Sequence, residues 1–252
     1  MDYRQKISPM VKINHLYSLN EDDIWEMLDF SKAIILDGHF ELLCKKHSEL
    51  FFRFAAISQY PSYVAKISKE LVEWVKQEKF LPSIDVVLGP TSHGMFFAYD
   101  IARELNGAAK NGVTRAVYAT IDKETGCPQN ELAKGFEIKP NENVLIVNDM
   151  TTTGNGLQTL IKLVGNAGGK VAGIGLFANR GINEELVKKL QKEYTSKFHS
   201  IIDLDMPAWG ATDCKLCGIN SPIVKSGEIN HLPIYNDERS YHLYIKKLKK
   251  VA

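Results

Sequence analysis

Hydrophobic residues in the N-terminal third of the chain recur every three to four positions in two stretches. The first stretch follows Asn20, a suitable helix N-cap, and continues to Gly38. The second follows Pro61, which suits the first turn of a helix, and reaches Val75. This spacing predicts two amphipathic helices.

Beyond residue 83 the pattern changes, because short β-branched runs alternate with amphipathic stretches. The predicted strands are residues 84–88, 115–121, 144–147 and 171–178, and the predicted helices are residues 95–105, 156–167 and 184–194. Alternation of this kind is typical of βαβ units. We therefore expect an α/β fold with a parallel sheet flanked by helices.

A polar stretch at 122–135 interrupts this alternation. It contains Gly126, Pro128 and Gly135, which makes a regular element there unexpected. Long loops in compact α/β domains are usually functional or mobile, whereas a solvated hairpin tip is the simpler alternative. The composition of the stretch favours neither.

Composition and charge limit the kinds of molecule that the protein is expected to bind. The 252 residues are 44% hydrophobic and 24% charged, as in ordinary globular proteins, and the net charge is +1. Such a charge offers no overall field for nucleic acid or for an anionic membrane. No apolar run reaches the roughly 18–20 residues of a spanning helix, and the first residues lack a signal-peptide pattern. We expect a cytoplasmic protein with neither a nucleic-acid nor a membrane partner.

Two predicted strand ends carry candidate chemistry, since ligands of open parallel sheets bind beyond the carboxyl ends of strands. After the strand at 144–147, residues 148–156 hold three threonines and two glycines before a helix. Helix N-terminal amides, hydroxyls and glycines suit a phosphate, whereas Asp149 suits sugar hydroxyls. Simple threonine capping is the alternative, but one cap needs only one threonine.

The other strand end, at 89–94, offers amides, two hydroxyls and an imidazole. It is a second candidate anion loop or a plain turn between a strand and a helix. Two such loops would suit a substrate with separated phosphates. The Walker and dinucleotide-binding glycine patterns are missing from the sequence, which disfavours a nucleotide triphosphatase.

The run Val-Leu-Ile-Val-Asn-Asp-Met-Thr-Thr-Thr-Gly at 144–154 resembles the phosphoribosyl-pyrophosphate (PRPP) motif of type I phosphoribosyltransferases. Further stretches resemble orotate phosphoribosyltransferases in the same chain order: 38–40, 46–48, 51–52, 134–140, 179–181, 214–217 and 222–227. The resemblance implies a PRPP-binding α/β core at 83–205. It also implies an N-terminal helical hood segment at 1–82 and a C-terminal segment at 206–252 packed on the core.

The resemblance also implies roles for individual residues. The ribose 5-phosphate would bind Thr152, Thr153, Gly154, Asn155 and Gly156, and the ribose hydroxyls would bind Asn148 and Asp149. The pyrophosphate loop would be Thr91, Ser92, His93 and Gly94. Phe52 would lie against the base, and the planar fork of Arg180 would hold a carboxylate of orotate.

The reaction implied is that of a pentosyltransferase of pyrimidine biosynthesis, in which orotate and PRPP give orotidine 5-monophosphate and pyrophosphate. Catalysis would rest on positioning, on Asp149, and on charge stabilisation by Mg²⁺ and by Lys123 and Lys134 of a mobile loop at 122–134. Mg²⁺ is held largely by substrate phosphates. In this family the loop often closes across a dimer interface, so a homodimer is expected.

Several positions depart from the family pattern. Asn148 replaces an acidic residue, the loop start at 119–122 lacks the usual charges, residues 43–45 replace Ser-Gly, and Phe54 stands where a lysine is common. Two alternatives therefore remain open: a relative that uses another base, and a regulator that binds PRPP or a nucleotide without turnover.

Cys214 and Cys217 form a lone Cys-x-x-Cys pair. A zinc site needs about four ligands, and His199, His231 or Asp213 could supply others. The simpler interpretation is a pair of reduced cysteines in a turn, so the sequence predicts no protein-bound metal centre.

Overall fold

The computed structural model describes residues 2–42, 45–78, 83–91, 93–106, 112–122, 126–194, 197–225, 228–229 and 246. The chain forms two compact units. The large-sheet unit comprises Lys12–Asn20 and Tyr60–Leu204, and the small-sheet unit comprises Met1–Val11, Glu21–Gln59 and Asp205–Ala252. The expected division at 1–82, 83–205 and 206–252 stays a prediction; within its first segment, residues 12–20 and 60–78 cluster with the large sheet.

The secondary structure follows the chain in this order. The helices are α1 (Tyr3–Ile7), α2 (Glu21–Ser31), α3 (Ala55–Ser58), α4 (Pro61–Gln77), α5 (His93–Glu104), α6 (Asn155–Asn166), α7 (Glu185–Tyr194) and α8 (Lys215–Gly218), with a 3-10 turn at Ser8–Met10. The strands are β1 (Val11–Ile13), β2 (Ile34–Ile35), β3 (Phe40–Glu41), β4 (His47–Ser48), β5 (Phe51–Phe52), β6 (Val86–Pro90), β7 (Arg115–Ile121), β8 (Pro128–Leu132), β9 (Asn143–Thr151), β10 (Lys170–Asn179), β11 (Phe198–Leu204) and β12 (Val224–Lys225).

The large sheet has seven strands in the order β1-β11-β10-β9-β6-β7-β8. Neighbours from β7 through β6, β9 and β10 to β11 pair in parallel, and β8 pairs antiparallel with β7. This confirms the predicted α/β fold with a parallel core. The apolar run at 144–147 is fully buried in β9, as expected for a central strand covered on both faces.

Glu70 of α4 fastens the N-terminal part of the large-sheet unit. Its buried carboxylate accepts hydrogen bonds from the backbone N–H groups of Tyr17 (2.6 Å), Ser18 (2.6 Å) and Leu19 (2.7 Å), and from the Ser18 hydroxyl (2.9 Å). Such bonds to a charged acceptor are among the stronger ones in proteins. They hold residues 17–19 against α4.

Two predictions of local structure were wrong. The first predicted helix ends at Ser31 and not near Gly38, because Lys32 has a left-handed backbone (φ 49°) and Ile34–Ile35 pairs as β2 with β5. The polar stretch contains a regular strand, β8, so it forms a hairpin with β7. Pro128 is compatible with that strand because it is the first residue at the edge of the sheet.

No helix in the described part of the chain is both long enough and apolar enough to cross a membrane.

His199 of β11 is a buried ionisable group in the large-sheet unit. Its ring stacks on Trp74 at 5.3 Å between centroids, and Tyr17 meets it edge-on at 5.3 Å. Its Nε2 atom has no hydrogen-bond partner among the described residues. Burial, with a smaller effect of the His15 imidazole, lowers the pKa of His199 from 6.5 to about 4. The folded chain therefore keeps this ring neutral.

We predict that protonation of His199 contributes to acid destabilisation. As the pH falls from about 6.5 towards 4, His199 binds a proton in the unfolded chain but stays neutral in the folded chain. The free energy of unfolding therefore falls through this window by up to about 3 kcal/mol. Thermal denaturation of His199→Phe between pH 7.5 and pH 4.5 should show a shallower loss of Tm than the parent. Lys189→Gln, which changes an exposed lysine of α7, serves as the control. Equal slopes for the parent and His199→Phe would contradict the assignment.

Candidate active site

The order of strands in the large sheet locates a crevice. The chain passes from β6 to β7 on one side, then returns to β9 and continues through β10 to β11 on the other side. The switch point therefore lies between β6 and β9, which are neighbours in the sheet. Ligands of open α/β sheets bind beyond the carboxyl ends of the strands at such a point. Both candidate anion loops follow these two strands.

The tip of β9 presents fixed polar groups. The strand continues to Thr151, four residues beyond the predicted end, so Asn148 and Asp149 are strand residues. The Asn148 side-chain amide donates to the Met150 carbonyl (3.0 Å), and the Asp149 carboxylate accepts from the Met150 N–H (2.7 Å). The local backbone thus orients both side chains.

The turn from β9 into α6 leaves the helix N-terminus without a side-chain cap. Gly154 occupies the N-cap position with a left-handed backbone (φ 82°) and no capping hydrogen bond. The Thr153 hydroxyl lies 3.5 Å from the Asn155 nitrogen, at the limit of a hydrogen bond. A glycine, and not a threonine, therefore occupies the N-cap position of α6. A helix start of this kind is suited to bind a phosphate.

Close backbone packing joins the turn after β9 to the end of β10. The Arg180 N–H donates to the Thr151 carbonyl (2.9 Å). A Cβ atom at Gly181 would lie only 2.1 Å from the Thr152 carbonyl oxygen, so the two segments meet where a larger residue would not fit. Arg180 therefore lies beside the candidate phosphate turn.

The loop after β6 reaches the same place. A Cβ atom at Gly94 would lie 2.5 Å from Pro90 Cδ and 3.2 Å from the Asn148 carboxamide oxygen. The first turn of α5 is therefore packed closely against the tip of β9. Thr91 is tied to the neighbouring strand, since its N–H donates to the Ala119 carbonyl (2.8 Å). Ser92 lies outside the described residues.

Electrostatics link the two strand ends. Burial raises the pKa of the Asp149 carboxyl, and the nearby His93 imidazole and the Met150 N–H act in the opposite direction. A desolvated carboxylate beside an imidazole is a strong hydrogen-bond acceptor, which suits a sugar hydroxyl. The crevice thus combines an anion-binding helix start with an acceptor for hydroxyls.

Comparisons with known proteins agree with this geometry. A family model described as a phosphoribosyl transferase domain matches residues 57–209. The orotate phosphoribosyltransferase of Caldanaerobacter subterraneus subsp. tengcongensis is 34% identical over 205 residues, which cover 81% of this chain and 94% of the relative. The chain belongs to the phosphoribosyltransferase family. The expected resemblance to type I enzymes, and among them to orotate phosphoribosyltransferases, is confirmed.

Solved structures share the fold of this phosphoribosyltransferase. Orotate phosphoribosyltransferase from Mycobacterium tuberculosis H37Rv, solved with inorganic phosphate, superposes with a TM-score of 0.54 at 18% identity and covers 73% of this chain and 97% of its own. UMP synthase from Leishmania donovani gives a TM-score of 0.56 at 18% identity over 75% of this chain, which spans 37% of that longer protein.

The hairpin of this phosphoribosyltransferase carries other predicted residues. A Cβ atom at Gly156 would lie 3.1 Å from Pro128 Cδ, so β8 passes against the start of α6. Lys134 follows β8 and is exposed to solvent. Lys123 lies outside the described residues. The catalytic roles of both lysines stay predictions.

Phe52 belongs to the small-sheet unit of the phosphoribosyltransferase. It lies in β5 opposite Ile34 of β2, and its buried ring is 6.3 Å from that of Phe54. Its contact with a base stays a prediction.

We predict that Gly94→Ala weakens PRPP binding by at least about tenfold, because the new methyl group must displace Pro90 or the Asn148 side chain. Gly165→Ala is the matched control. Nothing lies within 4 Å of a Cβ atom at that helical position, so this change should stabilise the fold by about 0.5–1 kcal/mol and leave the affinity unchanged. Calorimetry and thermal denaturation measure the two effects. Parental PRPP affinity in Gly94→Ala would show that the packing of the two strand ends does not matter.

Proposed function

We propose that this phosphoribosyltransferase transfers the ribose 5-phosphate of PRPP to orotate, giving orotidine 5-monophosphate and pyrophosphate. The observation that carries the proposal is the switch point between β6 and β9, where Asp149 and the start of α6 follow one strand and the loop after β6 follows the other. The identity of the base is supported by the relatives, which are named orotate phosphoribosyltransferases and match most of the chain.

PRPP would bind along the carboxyl edge of these strands. In our proposal the 5-phosphate accepts hydrogen bonds from amides at the start of α6 and from the hydroxyls of Thr152 and Thr153. Asp149 and Asn148 accept hydrogen bonds from the ribose hydroxyls. The pyrophosphate lies at Thr91, Ser92, His93 and Gly94. Apart from Ser92, which lies outside the described residues, each of these residues is at or just beyond the end of β6 or β9.

The side chains at this site fit a Mg²⁺ ion that binds together with PRPP. The oxygen atoms of Asn148 and Asp149 are hard donors of the kind that Mg²⁺ prefers, and two side chains are fewer than the six ligands of its octahedral shell. The ion would complete its coordination with oxygens of PRPP and with water. When bound, it would neutralise charge on the departing pyrophosphate.

The protein's own contribution would be positioning and charge. The anomeric carbon of PRPP becomes cationic as its bond to pyrophosphate breaks and a nitrogen of the base approaches. The Asp149 carboxylate, held by the Met150 N–H at 2.7 Å, stabilises the ribose from its hydroxyl face. Lys123 and Lys134 would supply positive charge to the leaving group from the loop at 122–134.

We also propose that the enzyme works as a homodimer in which that loop closes over the partner's site. The support is the family resemblance, together with the exposed position of Lys134. Light scattering on the purified chain gives the mass of the assembly.

The base side of the reaction is tested at Arg180, whose backbone lies beside Thr151. A guanidinium that binds a carboxylate through two hydrogen bonds contributes about 2–3 kcal/mol, so Arg180→Ala should lower kcat/KM for orotate by roughly 100-fold. The Kd for PRPP should stay within about twofold. Arg103→Ala, which removes an exposed arginine paired with Asp100 at 2.8 Å, is the control. Orotate turnover that is unaffected in Arg180→Ala would refute the carboxylate role.

A second candidate function is a regulator that binds PRPP without turnover, and Asn148 favours it because an amide cannot supply negative charge near the developing cation. Calorimetry with PRPP, followed by a pyrophosphate-release assay over a panel of bases, separates the candidates. We expect release with orotate above all other bases. Release with a different base would change the substrate only, whereas tight binding with no release on any base would establish the regulator.

A further inference from the structure

Four residues that can bind metals meet inside the small-sheet unit, independently of the proposed function. They are His39, directly before β3, His47 at the start of β4, and Cys214 and Cys217, which bracket the first turn of α8. One potential ligand atom from each residue lies within 4.8 Å of all the others. Asp213 and His199, which the sequence suggested as partners of the cysteines, are not in this group, and His231 lies outside the described residues.

Four of the six separations resemble the edges of a metal tetrahedron, and the other two are at most 4.8 Å. His39 Nε2 is 3.0 Å from His47 Nδ1, 3.5 Å from Cys214 Sγ and 3.7 Å from Cys217 Sγ, and Cys217 Sγ is 3.2 Å from His47 Nδ1. Tetrahedral zinc with bonds of about 2.0–2.1 Å to nitrogen and 2.3 Å to sulfur requires edges of about 3.3–3.8 Å. Contraction or expansion by a few tenths of an ångström would bring these contacts to that geometry.

The hydrogen bond made by the outer ring nitrogen of His39 supports metal binding. Its Nδ1 lies 2.9 Å from the Ser221 carbonyl oxygen, which can only accept a hydrogen bond, so the proton belongs on Nδ1. The lone pair of Nε2 then points into the cluster. A histidine whose outer nitrogen donates to a carbonyl is the usual arrangement of a zinc ligand.

A network of hydrogen bonds alone accounts poorly for the cluster. Three groups crowd around the single lone pair of His39 Nε2, and two of them are thiols, which are weak donors. His39, His47 and Cys214 are also only 3–4% exposed, so bulk water cannot satisfy what the network leaves unpaired. A central cation would use all four lone pairs at once.

The backbone around the cluster holds the four residues in place. His47 and Trp209 exchange backbone hydrogen bonds of 2.8 and 2.9 Å, and the Val224 N–H donates to the His39 carbonyl (2.7 Å). The cysteine turn is closed by bonds from Gly218 N–H to the Cys214 carbonyl (3.2 Å) and from Ser221 N–H to the Leu216 carbonyl (2.9 Å). The ligands therefore come from two segments that the strand pairing already joins.

We propose that His39, His47, Cys214 and Cys217 bind one Zn²⁺ ion as a structural site. Two thiolates and two imidazoles are a ligand set that favours zinc, and four protein ligands leave no position for a substrate or a catalytic water. The ion would tie the turn at 214–218 to the β3–β4 hairpin. This assignment departs from the sequence-based expectation of two reduced cysteines without a metal.

The first test uses the full-length chain purified in reducing buffer without added chelator. Elemental analysis should give about one zinc per chain. Exchange with Co²⁺ should produce the visible absorption of a tetrahedral site and the charge-transfer band of thiolate ligands. Removal of zinc by a chelator should lower Tm, and stoichiometric Zn²⁺ should restore it.

The second test uses variants, read out as zinc content and cobalt spectrum. Cys217→Ser and His47→Ala should each reduce zinc to well below half an equivalent. Cys127→Ser, which alters an exposed cysteine outside the cluster, should retain about one zinc. If Cys217→Ser fails to fold, the cobalt spectrum of the parent still decides, because only thiolate coordination gives the charge-transfer band.

Three results would overturn the proposal. One is a folded parent chain that binds less than about a tenth of an equivalent of zinc even after incubation with Zn²⁺. Another is a Cys214–Cys217 disulfide in the chain as purified under reducing conditions. The third is zinc bound equally well by the parent and by Cys217→Ser.

Discussion

The parallel pairing of β6 with β9 is the constraint on which the candidate active site depends. Because both strands are buried in the centre of the sheet, their apolar side chains occupy the core, and polar groups can appear only where the strands end. The chain leaves β6 and β9 towards opposite sides, and ligands of open α/β sheets bind beyond the strand ends at such a switch point. The turn at 152–154, Asp149 and the loop of His93 lie at neighbouring strand ends because of this topology.

Glycines make this edge of the sheet possible. Gly89, Gly94 and Gly181 each lie where a Cβ atom would approach a backbone or ring atom within 2.1–2.5 Å. They allow three connections to converge at the strand ends: the loop after β6, the turn after β9 and the end of β10. The glycines are therefore needed less for turn geometry than for the close approach of neighbouring segments.

The sequence predicted those features of the structure that depend on local residue patterns. Four of the seven strands of the large sheet (β6, β7, β9 and β10) and helices α5, α6 and α7 follow from apolar runs and helical spacing, whereas β1, β8 and β11 were not predicted. Phosphate binding by the turn after β9 stays a prediction from its threonines and glycines. The sequence did not predict the buried role of Glu70, whose donors lie about fifty residues earlier in the chain. Nor did it predict the cluster of His39 with Cys214, which are 175 residues apart. The two glycines and the one proline at 122–135 suggested an irregular loop, but residues 128–132 pair with β7 at the sheet edge as strand β8.

The hydrogen bonds at the tip of β9 explain why Asn148 can stand where the family motif has an acidic residue. The Asn148 Nδ2 donates to the Met150 carbonyl, a bond that a carboxylate could not make. Burial already raises the pKa of the neighbouring Asp149, and a second carboxylate beside it would raise that pKa further through repulsion between like charges. With an amide at 148, one carboxylate remains ionised more readily and keeps its hydrogen bond to the Met150 N–H. The substitution thus lowers the charge of the site but secures the orientation of the acidic group that is left, which is consistent with an enzyme that still uses Asp149 to hold the ribose.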